Sequence, residues 1–414
     1  MNMVGPLKVN GDRLWQSLME MAEIGATERG GCNRQALTDL DRTARDLYVS
    51  WVKDAGCEVR VDQMGNVFAR RPGLNADLPV VMTGSHIDTQ PTGGKFDGVY
   101  GVLAAVEVIR SLNDQGLDTQ AAVEAVIWTN EEGARFSPAM VGSGVWCGEF
   151  SLDYGYSRTD NLGNTLGQEL ERINYQGSVP CKPHPIKGFI ELHIEQGPIL
   201  EKEQLQIGVL TGVQGMNWYD LVITGQPVHA GPTPMEDRRD PFMALHRIID
   251  RIYALSREFA PWARVTFGDI KALPGSRNTV PEQLIVTLDM RHPDSDGLAS
   301  MDQALRDIAQ QEGDLARVDC RIDDEWRSPA VKFDLDCVDA VRKAAIDLGY
   351  PFKEMVSGAG HDAVYVSRVA PTSMIFVPCE KGISHNEAEN AKPEDLEAGC
   401  NVLLNTVVNL ANSN

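Results

Sequence analysis

Apolar residues recur at helical spacing over residues 10–25, where Leu14, Leu18, Met21 and Ala22 fall on one face. A glycine-rich break, Gly25 to Gly31, follows. Thr38 then opens a second helix, with Asp41 three residues on as an imperfect capping box and Gly56 as its stop. CEVRVD and NVFARR read as short strands joined by Gln63-Met64-Gly65. The apolar run from Val80 into GSHIDT predicts a buried strand, and GVLAAVEVIRSL, just past Asp97-Gly98, returns to helical spacing. AAVEAVIWTN predicts a second buried strand. Strand, loop, helix and strand make a βαβ unit, in which functional groups collect beyond the carboxyl ends of the strands.

The pattern weakens from about Ser143 to Lys187, a polar, glycine-rich stretch that predicts little regular structure. GFIELHIEQG is another strand, LQIGVLTGVQG follows it, and Gly212 to Gly215 reads as a hinge, with a second near Ser328-Pro329. Beyond that point strict alternation appears in WYDLVITG, ARVTFGDI, QLIVTLDMRH and ARVDCRID, interspersed with amphipathic helices at Phe242–Glu258 and Leu298–Gln311. Two helices with three or four alternating strands predict a compact α+β sandwich. Alternation of β and α resumes with a helix at Leu335–Leu348, a strand at Thr372–Val377 and a helix at Pro393–Leu410. The expected fold is therefore α/β, a domain with a central, mostly parallel sheet formed by residues 1–212 and 330–414. A smaller α+β domain, residues 213–329, is inserted between them.

A chain of 414 residues exceeds what one core usually organises, which agrees with two domains. The formal net charge of -21 repels nucleic acid and anionic membranes, so neither is expected as a partner. The sequence has no apolar run of the roughly 20 residues that a bilayer span requires, and its start, MNMVGPLKVNGDRLW, does not read as a secretory signal. Its eight cysteines form no CxxC pair, so free thiols and a cytoplasmic location are expected.

Charge and imidazole gather at the predicted strand ends. His86, Asp88 and Asp97 follow the first buried strand, Glu131 and Glu132 the second, and His193 with Gln196 the third. His385 follows the last. Nitrogen and oxygen donors with a carboxylate able to bridge are what a two-metal hydrolase needs. His86 and Asp97 are the first candidates, with Asp88 orienting His86. Glu131 and Glu132 suggest a division of labour, one carboxylate on metal and the other beside a water whose pKa the metal lowers toward about 7. Gly93-Gly94-Lys95 is expected to let the chain turn back so that Asp97 reaches the same site. His184, His246 and His292 lack such settings. In the inserted segment His229, Asn278 and Arg291 are polar candidates, Arg291 being suited to clamp a carboxylate bidentately.

Taken together, GSHIDT with FDG, TNEEG, ELHIEQG, VHAGPTP, RNTVP, DMRHP, SGAGHDA and GISHNE resemble the dinuclear-metal amidohydrolases of the aminoacylase and dipeptidase clan. The closest resemblance is to the branch with N-carbamoyl-L-amino-acid hydrolase, β-ureidopropionase and allantoate amidohydrolase. It runs from roughly Gly84 to Glu387 in order. The resemblance implies two divalent ions per subunit, Zn2+ foremost, with Mn2+, Co2+ or Ni2+ as alternatives. It implies His86, Asp97, Glu132, His193 and His385 as ligands, Asp97 bridging, with Glu131 as general base and Asp88 as the partner of His86. Gln196, His229, Asn278, Arg291 and Gly360 match substrate-binding positions. The resemblance further implies that residues 1–212 and 330–414 form the catalytic metal-binding domain and residues 213–329 a lid and dimerisation domain, with His229 steadying the oxyanion across a homodimer interface. The implied reaction is hydrolysis of an N-carbamoyl amino acid, a small substrate with a carboxylate. Allantoate hydrolysis is the near alternative, an aminoacylase or dipeptidase a further one, and a non-catalytic metal-dependent binding protein the alternative of another class.

Overall fold

The structure is a computed structural model that describes residues 6–413. By contacts the chain divides into two compact units, one running to Thr211 and resuming at Phe333, the other spanning Gly212–Lys332.

The first unit is built on a sheet whose central strands are Val123–Trp128, Val80–His86, Ile186–Ile194 and Thr372–Val377, in that order and mutually parallel. Nearly every residue of these four is buried, which is why each reads as a continuous apolar run rather than an alternating one. Antiparallel strands flank them. Val67–Arg71 and Glu58–Val61 extend one side and Ile207–Val213 the other. Register sets His86 opposite Trp128 and His193 opposite Phe376, so the carboxyl ends of four strands open at one edge. Helices Val99–Asp114, Leu335–Leu348 and Pro393–Asn412 pack on this sheet.

Several expectations change. The stretch expected to be weakly structured holds three short helices, Val141–Cys147, Leu152–Tyr156 and Leu166–Arg172. They are too short to show a periodic apolar face. Caps and ion pairs hold them instead: Thr165 and Gln168 form a capping box, and Arg135 joins Asp160 to Glu169. Strand Phe352–Ser357 went unforeseen because it is half exposed and carries Lys353 and Glu354. At the Thr38 cap, Thr38 accepts the Asp41 N–H as expected, but the Asp41 carboxylate takes the N–H of Leu37. Asp41 also meets the fully buried Arg45 at 3.0 Å.

The second unit is a four-stranded antiparallel sheet in the order Asp319–Ser328, Gly215–Thr224, Gln283–His292, Arg264–Leu273. Alternation is clear here because one face packs on helices Pro241–Glu258 and Ser295–Ala316, burying Leu221, Leu284, Leu245, Ile248 and Met301, while the other carries polar residues such as Asp220, Asp289 and Arg291 beside Trp218. The expected hinge Gly212–Gly215 is strand on both sides, interrupted only at Gln214. Gly212–Val213 also pairs with Val331–Lys332. Among the described residues no helix is long and apolar enough to cross a membrane.

Glu124 shows how the flanking strands are tied to the centre. Buried in mid-strand, its carboxylate accepts from His184 at 2.5 Å, Arg60 at 2.6 Å and Arg70 at 2.7 Å. Burial works to raise this carboxyl, but the hydrogen bond and charge of His184 and then Arg70 outweigh it and bring it from 4.5 to about 2. A depressed acid stabilises the fold above its unfolded value and loses that contribution as pH falls from 4.5 through about 2. Glu124→Gln is expected to cost about 3 kcal/mol at neutral pH and to flatten the loss of stability across that acid window, as measured by urea unfolding at several pH values.

Candidate metal centre

The site is assembled from loops that leave the parallel strands at one edge. Strand Val80–His86 ends at His86, and Asp97 stands just ahead of helix Val99–Asp114. Strand Val123–Trp128 runs on to Glu131 and Glu132, and His193 lies near the end of its own strand. His385 comes from the loop after Thr372–Val377.

Two groups of donors result, His86, Asp97 and His193 in one and Asp97, Glu132 and His385 in the other, each with its donor atoms within 4.8 Å of one another. Asp97 belongs to both and divides its oxygens between them. Oδ1 lies 3.7 Å from His86 Nε2 and 3.2 Å from His193 Nε2, while Oδ2 lies 3.4 Å from His385 Nε2. His385 Nε2 is also 3.4 Å from Glu132. Glu131 does not join the second group. Its carboxylate stands 3.4 Å from His86 Nε2, beside the first.

The donor chemistry fits a cation. His86 Nδ1–H donates to the Asp88 carbonyl at 2.9 Å, and His193 Nδ1–H to the Ile194 carbonyl at 2.9 Å. With Nδ1 committed, each ring directs Nε2 inward, the tautomer a metal requires. Space has been kept for this: a Cβ on Gly98, at φ 68°, would lie 2.3 Å from His86 Nε2. Burial, followed by the charges of Asp362, Glu132, Asp88 and Asp97, pushes Glu131 well above the carboxylate range. Glu132 is raised in the same way by burial and then by Asp97 and Asp88. Asp97 behaves oppositely: burial would raise it, but His193 and His86 hold it well below that range. His193 is carried up to about 8, its burial being outweighed by Asp97, and burial lowers His86 to about 4. An enclosed set of acids facing imidazoles is electrostatically incomplete without a cation.

Asp88 does meet His86, but through its main-chain carbonyl, which accepts the Nδ1 proton; its carboxylate lies 3.9 Å from Nδ1. The carboxylate instead accepts the N–H groups of Glu131 and Glu132, each at 3.2 Å, which bends that loop over the site. Gly93 and Gly94 are not at positive φ, so a left-handed backbone is not what calls for glycine here. Gly94 is glycine because Glu389 occupies the room a side chain would need, 2.0 Å from a Cβ.

Of the remaining candidates, Gln196 donates to Asp97 Oδ2 at 2.9 Å, so it sits on the carboxylate that the two donor groups share. Gly360 lies in the turn before His361, whose ring centroid is 4.7 Å from that of His193. His229, Asn278 and Arg291 belong to the second unit. There His229 pairs with Thr279, Asn278 accepts the Ala230 N–H at 2.9 Å, and Arg291 is held bidentately by Asp289. His184, His246 and His292 lie apart from these donors, on Glu124, Phe242 and Asp294 respectively.

Sequence reasoning missed Gln90, which donates to Glu132 at 2.8 Å, and the Glu191 carboxylate, which joins Ser85 to the Ala363 N–H. It also missed Ser143 on Asp362, and Ser384 and Glu389 around Asp97. The available signal was an acid in an apolar context, as with Glu191 inside FIELHI.

The profile of Peptidase family M20/M25/M40 matches residues 82–409. An N-carbamoyl-L-amino-acid amidohydrolase of Rhizobium meliloti is 45% identical over 98% of this chain and 97% of its own. An allantoate amidohydrolase of Bacillus subtilis (strain 168) is 34% identical over 94% and 95%. The crystal structure of an amidase of the hydantoinase/carbamoylase family from Burkholderia multivorans superimposes with a TM-score of 0.95 at 55% identity, covering 98% of this chain and 99% of that one.

Asp88→Asn leaves the main-chain carbonyl in place but turns an NH2 toward one of the two loop N–H groups. The expected outcome is a fall in kcat of about 10–100-fold with retention of the ion at His86, Asp97 and His193, read by metal analysis beside steady-state kinetics.

Proposed function

This chain belongs to peptidase family M20/M25/M40, and on that premise we propose that it hydrolyses the ureido C–N bond of an N-carbamoyl amino acid. The products are the amino acid, CO2 and ammonia. It is a hydrolytic enzyme of the amidohydrolase type. The observation that carries the reading is the division of Asp97 between two donor groups with Glu131 at the side of one. Two divalent ions held there would polarise the ureido carbonyl and acidify the attacking water. Zn2+ suits the mixed nitrogen and oxygen donors, with Mn2+, Co2+ or Ni2+ as alternatives.

The chain's own residues do the rest. Glu131 takes the proton of the attacking water on its carboxylate and passes it to the leaving nitrogen. Asp88 holds Glu131 in place through the main-chain N–H. His229 donates to the developing oxyanion. Arg291 forms a fork for the substrate carboxylate, with Asn278, Gln196 and the loop at Gly360 completing its pocket. Residues 213–329 act as the lid. The relative at 34% identity supports allantoate as a second candidate substrate.

We read the active form as a homodimer in which His229 serves the partner's site. The edge strand Arg264–Leu273, paired on one side to Gln283–His292 and exposing Ile270 and Leu273, supports this. Eight free thiols support a cytoplasmic setting.

Glu131→Gln is expected to abolish turnover with metal content intact, and His229→Ala to be inactive alone. Mixed and allowed to exchange subunits, these two chains are expected to recover about a quarter of wild-type activity, since half the dimers then carry one complete site. No recovery would remove the crossed His229, and loss of metal in Glu131→Gln would mean base and ligand are exchanged. Ammonia release from N-carbamoyl-L-amino acids, N-carbamoyl-β-alanine and allantoate, compared with each added metal, ranks the substrates. With the best of them Arg291→Lys should raise KM by about 10-fold or more, a point charge replacing a fork; an unchanged KM would take Arg291 out of the clamp.

A further inference from the structure

Glu389 has no part in the reaction outlined above, yet it is buried, four residues beyond His385, and directed at Asp97. Its Oε1 accepts the main-chain N–H of Phe96 at 2.9 Å and of Asp97 at 3.1 Å. Its Oε2 lies 3.0 Å from Ser384 Oγ, and that hydroxyl also lies 2.8 Å from Asp97 Oδ2. Glu389 therefore reaches Asp97 twice, through the backbone and through Ser384, across 292 residues of sequence. The loop it comes from needs an external hold, because His385 sits at φ 53°, a conformation that costs a non-glycine residue of order 1 kcal/mol. The cradle is specific, since any side chain at Gly94 would strike the Glu389 carboxyl group.

We propose that Glu389 is the positioning residue that locks the Asp97 carboxylate and the His385 loop in one register, so that the two donor groups form together. This rests on the two-ion reading above. Asp97 can serve both groups only if its Cα is fixed and its side-chain torsion is set. The two N–H bonds fix the first and Ser384 sets the second. Ser384 Oγ has one proton and faces two carboxyl groups, so it donates to one of them at a time. Glutamine at this position reproduces the contacts. Its oxygen accepts both N–H groups, and its NH2 donates to Ser384 Oγ, leaving the Ser384 proton for Asp97. Alanine removes both routes.

The test is Zn2+ and, separately, Mn2+ titrated into metal-stripped protein against a chromophoric chelator. Wild type is expected to bind two ions. Glu389→Ala is expected to bind about 10–100-fold more weakly while the metal-free protein keeps its circular dichroism. Glu389→Gln should stay within about threefold of wild type and Ser384→Ala should weaken by about fivefold, the scale of one hydrogen bond. A purely structural role for Glu389 would lower the melting temperature of the metal-free protein and leave affinity unchanged. Wild-type affinity in Glu389→Ala, or a loss in Glu389→Gln equal to that in Glu389→Ala, would overturn the proposal. Should Glu389→Ala fail to fold, unchanged affinity in Ser384→Ala would overturn it. A wild type that takes up no ion would sink the two-ion reading itself.

Discussion

The carboxylate of Asp97 faces two groups of side chains at once, Oδ1 toward His86 and His193 and Oδ2 toward His385, Gln196 and Ser384. A side chain with two torsions can do this only if its backbone is immobile. The parallel sheet provides that immobility. Val80–His86 is buried on both faces and hydrogen-bonded on both edges, so His86 leaves it in a fixed direction. Helix Val99–Asp114, buried along most of its length, anchors the chain just after Asp97. Between those anchors the loop is pinned at Gly93 by Cys32 and at Phe96 and Asp97 by Glu389.

Holding so many acids in one place is unfavourable for the metal-free fold. Glu131 is raised by burial and then by four neighbouring carboxylates, and Glu132 and Asp88 are raised as well. Some of this is relieved by main-chain N–H groups, two on Asp88 and two on Glu389, and by the imidazoles. A divalent cation would remove much of the remainder, and it would bring Glu131 back toward ionisation, the form the proposed base requires. Repulsion among these acids and affinity for cations are thus two faces of one electrostatic fact.

The second unit obeys a different rule. Its sheet is covered on one face only, so its strands alternate and its polar face remains available. Arg291 and Asp289 stand on that uncovered face, with the Trp218 indole N–H on the same Asp289 carboxylate at 3.1 Å. The proposed clamp is therefore pre-oriented by neighbours on its own strand and the next.

Much of this was open to reading in the sequence. Buried parallel strands announce themselves as apolar runs, and the titratable residues at or just past the end of each run, His86, Glu131, Glu132 and His193, had to fall at one edge once the strands were parallel. Local order likewise fixes that Asp97 precedes a helix and that the inserted segment alternates. Other features depend on groups far apart in the chain, which local pattern does not encode. That Glu389 fills the space beside Gly94, that the Asp88 carboxylate serves Glu131 and Glu132 while only its main-chain carbonyl meets His86, and that Asp97 is shared between two donor groups were decided only when four strand ends were brought together. Periodicity reports which face of an element is buried. Which buried polar groups meet there is settled by tertiary packing, because each must find a partner wherever the fold places one.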